Sequence, residues 1–231
     1  MSRNKLLKGR PTGRRRRGKR VLIVCNADVT EPAYFDHLLK ELGLSRSMVV
    51  IDESLKGKDP LMLARGAGKM RADDAGEAKK EGFDSYGSVW AVTDVDLFTN
   101  LGEAQKEARH AGVELVVSNP CFEVWLIDHV KVCPEFCAYT RECEKCAEEI
   151  GIAVSTNHKR SSSGRKKAIC FDKIDGRVDN ALRNASAHNT DEKRRVRESD
   201  PGNVRAYSVW TDVPKVVEKL ASLAQLGRRT P

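Results

Sequence analysis

The stretch SVWAVTDVD, residues 88–96, decides the fold that the sequence predicts. Residues 89–92 are a run of strand-forming apolar residues, as expected for a buried strand inside a sheet. The run ends in Asp94 and Asp96, which an extended chain directs to the same side. Neighbouring carboxylates repel each other, and a hard divalent cation such as Mg²⁺ relieves that repulsion. The pattern therefore predicts either a metal site or a polar turn with two solvated aspartates.

Strands and helices alternate along the first half of the chain. Apolar patterning predicts strands at residues 21–25, 48–51, 88–94 and 113–117. Helical spacing predicts intervening helices, with Thr30 as the first N-cap, a second start at Asp59 or Pro60, and ends at Gly43 and Gly112. Such alternation is typical of a mostly parallel sheet flanked by helices, so the predicted fold class is α/β.

The second half of the chain is predicted to be mainly helical. Ser118 or Asn119 is expected to cap a helix after the fourth strand. Further on we expect a helix over residues 168–187, a loop over 188–203, a strand over 206–210 and a final helix capped by Thr211 or Asp212. The predicted organisation is an arm over 1–19, an α/β core over 20–130 and a helical extension packed on it over 131–231.

Parallel strands bring their carboxyl ends to one edge of a sheet, where ligands usually bind. We therefore expect the polar side chains that follow strands one, three and four to converge. They are Asn26, Asp28, Glu31, Asp94, Asp96, Ser118, Asn119 and Glu123. The alternative for Glu123 is a helix-start acid that the helix dipole favours.

Positive charge is concentrated at the N-terminus. The first 20 residues hold ten of the 41 basic residues and no acid, so 31 basic and 33 acidic residues remain elsewhere. Residues 1–19, with the run Arg14, Arg15, Arg16 and Arg17, are expected to be disordered alone and to form either a phosphate-binding arm or a solvated tail. The basic stretch 156–167, which includes Lys159, is either a second phosphate contact or a linker.

Cysteine usage and hydropathy indicate a cytoplasmic protein. No apolar run reaches the ~18 residues of a membrane span, no secretory signal precedes the core, and the seven cysteines suit reduced thiols. A candidate metal cluster contains His129, Cys133, Cys137, Cys143 and Cys146. The short spacing between Cys137 and Cys143 argues against structural zinc, and buried cysteines also serve as small apolar residues.

Three blocks of the sequence resemble the RloB-like family, bacterial proteins often encoded beside restriction–modification genes. The blocks are VLIVCNADVTEPAYF (21–35), SVWAVTDVDLF (88–98) and SNPCFEVWL (118–126). That family is similar to Toprim-type nucleases, in which a glutamate after the first strand and an Asp-x-Asp after the third hold Mg²⁺. The resemblance implies a Toprim-like core and Mg²⁺- or Mn²⁺-dependent cleavage of RNA (tRNA included) or DNA in phage defence, alongside a partner protein encoded nearby.

One departure from the family pattern leaves two functions open, because Asn26 stands where the Toprim glutamate is expected. An amide can ligate Mg²⁺ but cannot act as a general acid or base. As a nuclease, the protein would hold the metal with Asp94, Asp96 and Glu31, assisted by Glu123. The remaining polar candidates would contact substrate: Asn26, Asp28, Ser118, Asn119, Lys159 and Arg14 to Arg17. The alternative is a nucleic-acid-binding or sensor module with weakened catalysis. A nucleotide-binding protein is the weakest hypothesis, since no GxxxxGK[ST] or GxGxxG motif follows a strand.

Overall fold

A five-stranded sheet lies at the centre of the fold. The computed structural model describes residues 20–95, 98–155 and 167–228. The strands are β1 (Arg20–Cys25), β2 (Val49–Asp52), β3 (Tyr86–Asp94), β4 (Glu114–Asn119), β5 (Ala153–Ser155), β6 (Lys167–Ile169) and β7 (Trp210–Thr211). The sheet has the order β2-β1-β3-β4-β7, and β5 and β6 form a separate antiparallel pair. The first four strands run parallel and β7 runs antiparallel to β4, so the predicted mostly parallel sheet is confirmed.

Helices cover both faces of this sheet, as predicted. They are α1 (Thr30–Leu42), α2 (Pro60–Glu81), α3 (Leu101–Ala111), α4 (Glu123–Asp128), α5 (Thr140–Glu149), α6 (Val178–His188), α7 (Asp191–Ser199) and α8 (Val213–Arg228). Alternation along β1 sends Val21 and Ile23 into a core with α1, α4, α6 and α8. Leu22 and Val24 enter a second core with α2 and α3 on the opposite face. Among the described residues, no helix combines the length and the hydropathy needed to cross a membrane.

Several predicted element ends are confirmed. Gly43 and Gly112 follow α1 and α3 with a φ of 67°, a left-handed conformation that glycine adopts without steric cost. Asp59 caps α2 by accepting hydrogen bonds from the backbone N–H groups of Leu61 and Met62. These local signals set the ends of α1 and α3 and the start of α2.

The outer edge of β4 is completed partly by side chains. Strand β7 pairs only with the last two residues of β4. Before that point, the N–H of Val117 donates to Asp212 Oδ2 at 3.2 Å, and the carbonyl of Leu115 accepts from Arg197 at 3.2 Å. Arg197 and Asp212 form an ion pair of 2.9 Å, with only 4% and 1% of their surfaces exposed. This buried ion pair links α7 and the start of α8 to the sheet.

Two predicted helix caps are wrong. Thr30 is the first residue of α1, and the preceding Val29 makes no side-chain cap. Ser118 and Asn119 end β4, and α4 begins only at Glu123. The side chains of Ser118 and Asn119 bond instead to residues near the C-terminus, which a local cap prediction could not anticipate.

The second half differs from the prediction at three places. The expected helix over 168–187 begins only at Val178, because residues 167–169 pair with β5 instead. The expected loop over 188–203 contains α7, capped by Thr190 and anchored by the buried Arg197. The strand predicted over 206–210 is reduced to β7. The final helix is confirmed: the Thr211 hydroxyl accepts from the N–H of Val213, the first residue of α8.

Candidate metal centre at the carboxyl edge of the sheet

The candidate site lies where β1, β3 and β4 end side by side. Strand β3 lies between β1 and β4, with Cys25 paired to Val92 and Asp94 paired to Ser118. The backbone stays in contact beyond the strands, since Asn26 N donates to the carbonyl of Val92 at 3.0 Å. The chain segments after these three strands therefore start from one edge, as the sequence predicts.

Glu31 is a buried residue in the first turn of α1. Only 1% of its surface is exposed, and its Oε2 accepts a hydrogen bond of 3.0 Å from the N–H of Ala27. Burial raises the pKa of Glu31 to about 8, although backbone N–H groups of Ala27 and Asn26 oppose the shift. The charge of Glu123 raises it further. A carboxyl group in this setting favours either a proton or a nearby cation.

Glu123 is the first residue of α4 and is 5% exposed. It lies close to Cys121, whose thiol it contacts. A contact with the Cys143 thiol lowers the pKa of Cys121, but burial and then the charges of Glu123 and Asp94 raise it above the ordinary value. Because the charges of Glu123 and Asp94 both act on the Cys121 thiol, the two carboxyl groups lie in the same region of the fold. Glu123 is also near Glu31, whose pKa it raises.

Asp94 is the last residue of β3, and its Oδ1 is buried. Glu31, Asp94 and Glu123 thus come from three chain segments and converge on one edge. Asp96 lies outside the described residues, so its predicted place beside Asp94 stays a prediction. Lys159 and Arg14 to Arg17 also lie outside the described residues.

Asn26 and Asp28 follow β1 but have different surroundings. The amide of Asn26 donates to the hydroxyl of Thr93 at 3.4 Å. Its Oδ1 is buried and has no hydrogen-bond partner in the part of the chain that the structure describes. A buried amide oxygen without a partner is a suitable ligand for a hard cation. Asp28 is exposed in the same turn.

The two remaining polar candidates, Ser118 and Asn119, contact the C-terminal part of the chain. The hydroxyls of Ser118 and Thr211 lie 3.1 Å apart. The amide of Asn119 donates to the carbonyl of Val204 at 2.7 Å. Their side chains connect the end of β4 to β7 and the turn before it, and a role in substrate binding stays a prediction.

His129 has a structural environment rather than that of a metal ligand. Its Nε2 lies 3.3 Å from the hydroxyl of Tyr34, and its Nδ1 lies 3.0 Å from the carbonyl of Trp125. Burial lowers its pKa to about 4, so the ring is neutral at pH 7. Cys121 was not among the predicted site residues, and the fold places it between the carboxyl groups and the other cysteines. Its only sequence signal is its position two residues before Glu123.

The residues of this edge supply the kind of ligand that a hard divalent cation prefers, although the carboxylate oxygens of Glu31, Asp94 and Glu123 do not all lie within 4.8 Å of one another. Oxygen donors are available from Glu31, Asp94 and Glu123, and the orphaned Oδ1 of Asn26 can add a neutral one. Two buried carboxyl groups close enough to raise a pKa would be stabilised by a positive ion. Among the described residues, Glu31 and Asp94 are the best placed of the predicted metal ligands.

The fold and this edge define an α/β protein with a mostly parallel sheet and a cluster of carboxylates at its carboxyl end. Comparison with protein families gives a match to RloB-like protein over residues 21–220. The chain belongs to the RloB-like family. Comparisons with curated proteins and with solved structures give no significant match.

Proposed function

We propose that this protein is a Mg²⁺-dependent nuclease that acts on RNA or DNA, with the cation held at the carboxyl edge of the sheet. The observation that carries the proposal is the burial of Glu31 near Glu123, which raises the pKa of Glu31 to about 8. Asp94 ends the neighbouring strand, so a third carboxylate lies at the same edge. Phosphodiester cleavage commonly uses such carboxylate-bound cations.

In this proposal, some residues of the site bind the metal ion and others take part in proton transfer. Asp94, Glu31 and Asp96 would hold Mg²⁺ or Mn²⁺, and the cation would polarise a phosphoryl oxygen and activate water. Glu123 adds negative charge at the first turn of α4 and can accept a proton from a water molecule. Asn26 contributes an amide oxygen where the related Toprim-type proteins have a glutamate, so proton transfer falls to the glutamates.

Substrate retention is assigned to the basic arm. Residues 1–19 contain nine Lys or Arg residues and no acid, a composition that binds phosphates without reading sequence. Lys159 and the exposed Asp28 are further candidate contacts. The substrate class follows from this positive charge, and the association with phage defence and a neighbouring partner protein follows from the family resemblance.

The deciding experiment is a cleavage assay on the full chain with tRNA and with DNA. Cleavage is expected with Mg²⁺ or Mn²⁺ and is expected to stop with EDTA. The variant pair Asp94→Asn and Asp84→Asn separates the site from a general charge effect, because the exposed Asp84 precedes β3 at the opposite edge of the sheet. Loss of cleavage only in Asp94→Asn supports the proposal. Cleavage that persists in the Asp94→Ala/Asp96→Ala double variant contradicts it.

A second candidate function is a nucleic-acid sensor with weakened catalysis. The observation that favours it is Asn26, since an amide cannot exchange a proton as the expected glutamate would. In that case the wild-type protein binds RNA or DNA tightly at low salt but shows no cleavage with any divalent cation. An Asn26→Glu variant that gains cleavage would then identify the missing group.

A further inference from the structure

Five cysteines between residues 121 and 146 share one buried cluster. Cys121, Cys133, Cys137, Cys143 and Cys146 are each 3% exposed or less. They make up half of a ten-residue apolar cluster, the rest being Val124, Ile127, Ala147, Ala153 and Val209. None of the five is in a disulfide. We call these five residues the thiol cluster.

Three sulfur atoms of the thiol cluster are already close to the arrangement of a metal site. The Sγ atoms of Cys133, Cys137 and Cys143 all lie within 4.8 Å of one another. Tetrahedral zinc with Zn–S bonds of about 2.3 Å holds its sulfurs roughly 3.8 Å apart. Movements of at most about 1 Å would therefore bring the three thiolates onto one zinc ion.

Cys146 is the best fourth ligand. It follows Cys143 by three residues in α5, a spacing that places both side chains on one face of the helix. Its thiol contacts that of Cys137. Cys121, the fifth member of the thiol cluster, contacts Cys143, but it contacts the Glu123 carboxyl group as well. Cys121 therefore belongs to the boundary between the cluster and the candidate Mg²⁺ site.

The side chains around the thiol cluster argue against a simple apolar core. Within the segment 134–139, the side chain of Cys137 is completely buried, whereas Phe136 and Tyr139 are 65% and 71% exposed. Hydrophobic burial alone would favour the opposite arrangement, since an aromatic side chain removes far more apolar area from water than a thiol does. Metal binding would explain why the thiols, rather than the aromatic side chains, are buried.

We propose that Cys133, Cys137, Cys143 and Cys146 bind one structural Zn²⁺ ion that fixes α5 and the segment before it against α4. The four ligands bind as thiolates, so their protons are released to solvent when zinc enters. Only five residues separate Cys137 from Cys143, a short spacing for a zinc site. In the fold these residues form a turn and the start of α5, which bring the two thiols together rather than keeping them apart.

The test is the zinc content of the full chain, purified with a reducing agent and without added zinc. Mass spectrometry of the metal is expected to give about one zinc per chain for the wild type. Cys133→Ser, Cys137→Ser, Cys143→Ser and Cys146→Ser are each expected to lose it. Cys170→Ser, outside the thiol cluster, and Cys121→Ser are expected to keep it.

A second measurement covers variants that fail to fold. Cobalt added to wild-type protein after zinc removal should give the charge-transfer and visible bands of tetrahedral thiolate coordination, and zinc should then abolish them. Zinc should also protect four thiols from alkylation. Wild-type protein that contains no zinc and takes up neither metal overturns the proposal. Zinc loss in Cys121→Ser together with retention in Cys146→Ser overturns the assignment of the fourth ligand.

Discussion

Glu31 and Glu123 lie in the first turns of two helices that follow different strands, yet the charge of Glu123 raises the pKa of Glu31. The fold thus places two acidic side chains, 92 positions apart in the sequence, in one buried region. Such a pair costs free energy when both groups are ionised. That cost is the physical reason to expect a cation between them, and it can be measured through stability.

The first prediction is that Glu31→Gln stabilises the metal-free protein at pH 8. The folded state holds the Glu31 proton up to a pKa of about 8, whereas the unfolded chain releases it near 4.5. Glu31 therefore makes its full contribution to the free energy of unfolding below about pH 4.5, and this contribution is lost as the pH rises to about 8. Glutamine mimics the protonated acid, so we expect a gain of a few kcal/mol at pH 8, since one pKa unit is worth about 1.4 kcal/mol.

Urea unfolding in EDTA, at pH 5 and at pH 8, measures this effect. The gain should be small at pH 5 and larger at pH 8. Glu114→Gln is the matched control, because Glu114 is exposed at the start of β4, at the opposite edge of the sheet. An equal loss of stability for Glu31→Gln at both pH values would mean that the carboxylate is needed in its ionised form.

The second prediction concerns the metal requirement of Glu123→Gln. Removing one charge from the candidate site should raise the Mg²⁺ concentration for half-maximal cleavage by about tenfold or more, equivalent to about 1.4 kcal/mol of binding free energy. The measurement is the cleavage rate over a Mg²⁺ titration. Glu114→Gln should leave the midpoint unchanged. A lower maximal rate at an unchanged midpoint would place Glu123 in proton transfer instead.

The third prediction is that Arg197→Met strongly destabilises the fold. Burial alone would raise the pKa of Asp212, but the charges of Arg197 and Lys215 lower it below its ordinary value. Removing Arg197 leaves a buried carboxylate without its main partner and should cost about 3–5 kcal/mol in urea unfolding at pH 7. The loss should shrink as the pH falls and Asp212 becomes protonated.

Arg194→Met is the control for this ion pair, because Arg194 is exposed on the same helix. It should change the free energy of unfolding by less than about 0.5 kcal/mol. The double variant Arg197→Met/Asp212→Leu should recover part of the loss, since it removes both buried charges. A double variant less stable than the sum of the single changes would contradict an electrostatic origin.

The fourth prediction is that removal of residues 1–19 weakens nucleic-acid binding and its salt dependence. The deletion removes nine basic residues and leaves the core nearly neutral. Each lost phosphate contact should reduce the slope of log affinity against log salt by about 0.7 for single strands. Filter binding over a salt series measures the slope. An unchanged slope would assign the binding surface to the folded core.

Sequence patterns identified the parts of the fold that depend on local signals. The strand run before Asp94, the glycine after α1 and the aspartate cap of α2 are each encoded within a few residues, and the structure confirms them. The convergence of Glu31, Asp94 and Glu123 was also predictable, because the carboxyl ends of parallel strands share one edge. Several of the wrong predictions concern residues whose role depends on distant partners.

Ser118 and Arg197 illustrate that second group. A serine after a strand has the composition of a helix cap, but its hydroxyl meets Thr211, 93 residues away. Likewise the polar sequence around Arg197 is typical of a loop, but Arg197 forms a buried ion pair with Asp212 that anchors its helix to the sheet.

The ion pair of Arg197 and Asp212 also determines how the sheet can associate with other chains. An exposed strand edge can recruit a foreign strand, and natural proteins protect such edges with fixed charges. On the β4 side, the N–H of Val117 already donates to Asp212, and the carbonyl of Leu115 accepts from Arg197. A second chain could add a strand beside Leu115 and Val117 only by separating two buried charges, so the ion pair protects this part of the β4 edge from pairing with a foreign strand.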